Sequence, residues 1–461
     1  MPKIIRLTST IVFIAALLAL LCASAAAQKH LTGTLSDGAT YVIDVPANWN
    51  GTLLLYSHGY VGPGSPNPAQ NVGDPLTGGY LLSAGYALAG SSYAKTGWAV
   101  HEALQDQPAV LDVFQSAVGT PTQTIAWGHS LGGMITAGLV QQFPTRFNAA
   151  LPMCGVVAGG IGLWNEALDG AFAFNTLVAG GALKVVHITN PTQNLTNAEN
   201  ALNIAQTTPQ GQARIALVAA LGDVPGWFDP VSPEPNPTDY ATQEANQFLW
   251  VQNVDFPFMF ALRAELELRA GGNPSWNTGV NYLSQLKRSA DYAEVLALYA
   301  AAGLSLDADL ATLKSAERIA SDPAAQTYLT NNIIYNGQLT IPVLTLHTTG
   351  DGLVTVENEK AYKVTVHKAL ESPLLRETFV HRAGHCEFTP AETITAFQRL
   401  STRLTTGTWK DLIPNDMNTA AASLGPQYNV LFVNGGLVSV QPAFLTFQPL
   451  MFLRPFDAFS Q

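Results

Sequence analysis

The sequence predicts an α/β protein: a mainly parallel central sheet with helices on both faces, broken by a large, mostly helical insertion. Three observations carry this. Short apolar runs alternate with helical stretches over the first third of the chain and again across residues 340–405. Between them, residues 157–339 keep helical periodicity but offer no strand series. A glycine-flanked turn at 128–133 joins one apolar run directly to a helix. Continuous apolar runs separated by helices suit strands covered on both faces, because neither side meets water.

Taken in order, residues 31–36 and Thr40–Pro46 read as strands joined at Asp37-Gly38, a turn dipeptide. Thr52–Ser57 is an apolar strand running into His58-Gly59, and residues 86–93 give another. A helix over 102–117 leads to a strand at 122–127, the turn, and a second helix to about Gln142. Ala149–Met153 is a buried strand. The insertion offers helices at 200–221, 242–270, 290–302 and 308–319. Pro225, Pro230, Pro233, Pro235 and Pro237 make a loop there, since each removes a backbone donor. Strands return at 342–347 and 375–380, with a helix from Pro390. The tail reads as irregular apart from a hairpin, 429–433 with 437–440, around Asn434-Gly435.

The expected organisation is an export signal at 1–27, a sheet domain from 28–156 and 340–405, a cap at 157–339 and an extension at 406–461. Lys3 and Arg6 precede an apolar run at 11–22, and Ala23-Ser24-Ala25-Ala26-Ala27 provides small residues for cleavage after Ala27. The run is short for a membrane span. A secreted or periplasmic protein with no stable membrane anchor after cleavage is therefore expected. Removing Cys22 leaves Cys154 and Cys386, which can form one disulfide in an oxidising compartment.

Composition narrows the partners. With 47% hydrophobic and 12% charged residues the chain is neither disordered nor a charge-laced coiled coil. A net charge of −11 without any Lys/Arg cluster argues against nucleic acid, which needs a concentrated basic face. No metal or cofactor motif occurs, and oligomeric state is not encoded in any feature we read.

The chemistry starts at Gly128-His129-Ser130-Leu131-Gly132, a G-x-S-x-G sequence between a strand and a helix. A serine in so sharp a turn needs glycine neighbours, and the helix beyond it supplies backbone N–H groups for developing negative charge. Serine is a weak nucleophile at neutral pH, so it needs a base, and the base needs an orienting acid. Asp351 follows the strand at 342–347, and His385 follows the strand ending near His381. Ser130, Asp351 and His385 thus each lie beyond a strand's end.

The segments GHSLGG at 128–133, GDGLV at 350–354 and AGH at 383–385 resemble the nucleophile, acid and histidine segments of α/β-hydrolases. The strand into His58-Gly59 is similar to their oxyanion loop. The resemblance implies an eight-stranded sheet and hydrolysis through an acyl-enzyme, without a cofactor or metal. It also implies an oxyanion hole from the Leu131 N–H with that of Tyr60, Gly59 being second choice. Tannase-like and feruloyl esterase-like members join the residue before Ser to the residue after His by a disulfide. This chain has Cys386 after His385 but His129 before Ser130, so it is similar to half of that arrangement. Both cysteine loops open at one end of such a sheet, which makes a Cys154–Cys386 disulfide the expected pairing, with two separate buried thiols as the alternative.

Other residues compete. His381 is the alternative base and Glu387 the alternative acid, though Glu387 is only two residues past His385. His58 and His129 read as structural, and His101, His187 and His367 as ordinary surface or core residues. The expected activity is cleavage of a small-molecule carboxylic ester, with a peptidase or amidase second and a non-catalytic envelope binding protein third. Trp164, Phe172, Phe174, Trp227, Phe228, Trp250, Phe256, Phe258, Phe260, Trp276 and Tyr282 lie in the insertion. Most should form its core and some should line the pocket, with little charge there to hold a peptide terminus.

Overall fold

The computed structural model describes residues 27–433 and 435–460. The export-signal reading of residues 1–27 lies, apart from Ala27, outside the described residues. The strands are β1 Ala27–Thr34, β2 Thr40–Pro46, β3 Thr52–Ser57, β4 Ala87–Ser91, β5 Gln123–His129, β6 Ala149–Met153, β7 Val343–Gly350 and β8 Leu375–Ala383. After a separate hairpin of β9 Val430–Val433 and β10 Gly436–Ser439 comes β11, Phe444–Leu445. The main sheet runs β1-β2-β4-β3-β5-β6-β7-β8-β11. Pairings from β4 through β8 are parallel, and β1, β2 and β11 join antiparallel.

Successive strand residues point to opposite faces, and β3 shows why its run is wholly apolar. Leu53 and Leu55 pack with Val110, Phe114, Ile135 and Leu139 of the helices Val100–Ala117 and Leu131–Gln142. Leu54 and Tyr56 pack on the other face with Leu81, Ala391, Phe397 and Leu400. These come from the helices Pro75–Ser83 and Pro390–Thr406. Both faces are dry, as a parallel sheet requires.

Several boundaries differ from the sequence reading. The first strand is Ala27–Thr34 rather than 31–36, because the Asp37-Gly38 turn closes earlier, with the Leu35 N–H donating to Ala39 O at 2.7 Å. The helix Pro75–Ser83 was hidden by Gly78 and Gly79, yet Asp74 caps it, accepting from the Thr77 N–H at 2.8 Å. The expected 200–221 helix is two, Pro191–Gln206 and Pro209–Leu221, since Thr208 caps the second and Pro209 opens it. The expected 242–270 helix consists of Tyr240–Trp250, two π-helical segments at Val251–Asp255 and Phe258–Leu262, and Arg263–Ala270.

The chain leaves the sheet after β6 and returns at β7. The intervening helices have a core of their own, in which Phe174 and Phe256 pack at 4.6 Å and Phe256 and Phe260 at 4.8 Å between ring centres. Its two ends nevertheless belong to the sheet's core: Ile161 and Trp164 at the start, Leu329, Ile333 and Tyr335 at the finish.

The tail is more regular than expected. It forms the helix Pro414–Ser423, and β11 pairs with β8, Phe444 opposite Val380, to make a ninth strand. Two paired residues carry no periodicity to read. The chain then crosses back, burying Phe452, and Arg454 reaches the Asp169 carboxylate at 2.5 Å and the Trp276 carbonyl at 2.8 Å. The extension therefore ties the sheet to the insertion.

The interior holds many acids, and this sets an unusual pH dependence. Burial pushes Asp291 and Glu357 up to about 7 and Glu294 up to about 9, with neighbouring carboxylates adding to it at Asp291 and Glu294. Folded chains thus bind protons that unfolded chains have released above about pH 4.5. Stability contributed by these groups falls from about pH 4.5 upward, until about 7 for Asp291 and Glu357 and until about 9 for Glu294. His347, raised to about 10, adds to the same loss above its unfolded value. The expected result is a lower Tm at pH 9 than at pH 6.5 in otherwise matched buffers. A Tm that rises over this interval would mean these acids are ionised in the folded protein.

Candidate active site

Parallel strands bring their C-terminal ends to one edge, and the loops there carry the chemistry-bearing residues. Ser130 follows β5, Asp351 follows β7, His385 follows β8, and Gly59 and Tyr60 follow β3. Ser130 has φ 58° and ψ −124°, a strained backbone that the surrounding glycines permit. A Cβ at Gly128 or Gly132 would run into the Ser57 carbonyl oxygen, so neither position tolerates a side chain.

Ser130 Oγ lies 2.7 Å from His385 Nε2, and His385 Nδ1 lies 2.7 Å from Asp351 Oδ2. An ionised carboxylate only accepts, so Nδ1 carries the hydrogen and Nε2 is free to accept the serine proton. Asp351 is buried, and its Oδ1 accepts from the Leu353 and Val354 N–H groups at 3.0 Å each. Burial opposes its ionisation, but the His385 and His347 rings more than offset this and hold the carboxyl below its ordinary value.

His347 is a residue the sequence reading missed. It is fully buried, four residues before Asp351, with Nε2 3.6 Å from Asp351 Oδ2. Nε2 donates to the Val354 carbonyl at 2.8 Å and Nδ1 faces Glu359 Oε1 at 3.1 Å. With an acceptor at each nitrogen, the ring holds both protons. Burial works against that charge, but Asp351 and Glu359 raise the ring to about 10. The available signal was the His-x-x-x-Asp spacing across the end of β7.

The competing residues sit elsewhere. His381 lies within β8 rather than at its end, half exposed, 3.5 Å from Glu234 and with its ring tilted 5.0 Å from that of Trp227. Glu387 makes no hydrogen bond to His385 among the described residues. His58 spans the Gly59 and Ser92 carbonyls at 2.8 and 3.1 Å and stacks on Tyr93. His129 is enclosed 3.1 Å from the Tyr56 hydroxyl, and burial lowers it to about 4. His101, His187 and His367 are exposed.

Cys154 and Cys386 are disulfide-bonded, with Cα atoms 5.4 Å apart. Met153 pairs with His129 in the β5–β6 register and accepts the Ser130 N–H at 3.0 Å, so Cys154 lies beside the serine turn, one strand over. The cross-link to the His385 loop therefore comes from the neighbouring strand, where His129 provides none. Replacing both cysteines by serine should cost about 2–5 kcal/mol of unfolding free energy, as for other native bridges. Denaturant titration checks the cost. Thiol titration of the unreduced, denatured chain from residue 28 should find no free thiol, and two would refute the bridge.

Ser130 opens on a cavity of about 60 Å³ whose walls include Tyr60, Trp98, Leu131, Trp164 and Phe258. Trp164 and Phe258 are the aromatics from the insertion that reach it. Phe172, Phe174, Phe256, Phe260 and Tyr282 went to the insertion's core, while Trp227, Phe228 and Trp250 pack near the Asp351 loop. Little charge was expected there, and Asp255 is the carboxyl-bearing side chain among the described residues that line the cavity. A Cβ on Gly59 would sit 3.4 Å from that of Ser130, so the β3 loop lies against the serine. The N–H groups of Gly59 and Tyr60 donate to no backbone carbonyl among the described residues, and that of Leu131 begins its helix without a partner.

No family model matches the chain. It is 29% identical over 425 residues to an o-phthalyl amidase from Xanthobacter agilis, which spans 84% of this chain and 90% of that protein. Among solved structures it is similar to an esterase from Aspergillus oryzae, at 16% identity and TM-score 0.41, covering 83% of this chain and 80% of that one. A rice cell wall degrading esterase from Xanthomonas oryzae matches at 14% identity and TM-score 0.35, covering 82% and 87%. The strand order, the strained Ser130 turn after β5, and the sequence of serine, acid and histidine beyond β5, β7 and β8 are those of one architecture. The chain has the α/β-hydrolase fold.

Proposed function

We propose that the protein is a serine hydrolase that cleaves carboxylic esters through an acyl-enzyme. The observation that carries this reading is the unbroken chain from Ser130 Oγ through His385 to Asp351, 2.7 Å at each link, opening on an aromatic cavity. Ser130 attacks the carbonyl carbon while His385 takes its proton, and Asp351 holds the imidazole in the required tautomer. The Leu131 and Tyr60 N–H groups, with Gly59 second, receive the oxyanion. His385 returns the proton to the leaving alcohol, and water, deprotonated by the same nitrogen, releases the acid.

Likeness to an o-phthalyl amidase favours a second reading, hydrolysis of an amide by the same residues. The chemistry differs only in the leaving group, an amine that His385 must protonate. On this reading the insertion, residues 157–339, acts as a cap over the site. A disulfide suits an oxidising compartment, which supports export after cleavage at Ala27.

The two readings separate on matched nitrophenyl esters and nitroanilides of the same uncharged aryl or medium-chain acids. The expected result is a higher kcat/KM on the esters after correction for spontaneous rates. An anilide preference would promote the amidase, and a preference needing a free α-amine would promote a peptidase.

A further inference from the structure

Asp255 closes the π-helical segment Val251–Asp255 and is 5% exposed, yet it lines the cavity that holds Ser130. Its Oδ2 is enclosed without a hydrogen-bond partner. Folded proteins rarely leave a buried polar atom unpaired, and a ligand is one thing that completes it. The segment is itself unusual. Two π-helical turns, interrupted by Pro257, deliver Asp255, Phe258 and Met259 to the cavity wall, and such turns recur at functional sites.

We infer that Asp255 is a specificity residue that donates one hydrogen bond, as a neutral acid, to an oxygen acceptor on the substrate beyond the scissile carbonyl. The inference rests on reading the Ser130 cavity as the active site. Among the described residues no basic side chain lines the cavity, so a carboxylate there would have no counter-charge. Burial first, and the Asp351 charge second, push the Asp255 carboxyl well above its ordinary range. A protonated carboxyl has one O–H to give, and among apolar walls a single donor fixes how a guest lies.

A cationic guest is the competing occupant, since aromatic walls and a carboxylate can hold an ammonium. The structure weighs against it. Arg263 already sits 5.2 Å over the Trp164 ring, with its fork spent on the Trp164 carbonyl at 3.0 Å, Ser275 at 3.2 Å and Asn273 at 3.4 Å. That face of the Trp164 ring is therefore already occupied. The substrate class is therefore an ester whose acyl or alcohol part carries a keto or ether oxygen.

The test uses the full chain with nitrophenyl hexanoate, a set of nitrophenyl oxohexanoates differing in keto position, and the 6-ammonio ester. Wild type should prefer one oxo ester over hexanoate by about tenfold or more in kcat/KM. Asp255→Asn keeps a donor without a charge and should hold that ratio within about threefold. Asp255→Leu should bring it close to one. An unchanged ratio in a folded Asp255→Leu variant overturns the inference. So does a preference for the ammonio ester that both substitutions abolish, which would make Asp255 a carboxylate pairing with a cation. If Asp255→Leu fails to fold, the near-isosteric Asn variant decides, because loss of ammonio preference there is itself contrary. Hydrolysis of every ester unaffected by Ser130→Ala would instead remove the underlying reading, and the two failures are distinguishable.

Discussion

Ser130→Ala leaves a folded protein whose turnover falls by about four to six orders of magnitude. The size follows from what is removed. Alanine has no atom to attack the carbonyl, so no acyl-enzyme forms, and only the N–H groups and cavity walls remain to favour direct attack by water. The fold should not suffer. Among the described residues Ser130 Oγ hydrogen-bonds to the His385 side chain alone, and the strained φ of 58° is supported by Gly128, Gly132 and the Ser130 N–H donation to Met153. Circular dichroism and Tm should match wild type, while kcat on a nitrophenyl ester collapses. Near-normal turnover in a folded variant would mean another group is the nucleophile. His385→Ala should fall about as far, and His381→Ala should not, because His381 faces Glu234 rather than the serine.

Much of this site could be read from the chain because its parts are local. A strand, a glycine-flanked serine and a helix are consecutive in sequence, and acid and histidine each follow an apolar run. What the sequence hid was set by packing between distant segments. His347 lies within an apolar strand, and nothing in residues 342–347 says that Glu359, in the first turn of the next helix, faces its ring. Asp255 was lost within a stretch read as one long helix, because a π-helical turn shifts which residues face the cavity and leaves the apolar period almost unchanged. The helix Pro75–Ser83 had its start signals in Asp74 and Pro75, but Gly78 and Gly79 lowered its apparent propensity below that of a loop. The ninth strand is decided by where the tail can reach, which local residues do not record.

The second large effect is expected at Asp351. Asp351→Asn should lower kcat by about four orders of magnitude with little change in KM, as when the orienting acid of such a triad is neutralised. An amide presents one acceptor and one donor. The Leu353 and Val354 N–H groups fix the acceptor on the loop side, where Asp351 Oδ1 now receives both at 3.0 Å. The amide nitrogen is then left facing His385, whose Nδ1 must give up its hydrogen and place it on Nε2. That nitrogen points at Ser130 and can no longer accept its proton. The same loop bonds persist, so the variant should fold. Its buried His347 loses one of two counter-charges and keeps Glu359, so Tm should fall modestly. His347→Gln makes the complementary measurement: with Asp351 intact it should lower kcat by about tenfold and leave the His385 link in place. The arrangement is wrong if Asp351→Asn stays within tenfold of wild type while Glu387→Gln is inactive, since the acid would then be Glu387.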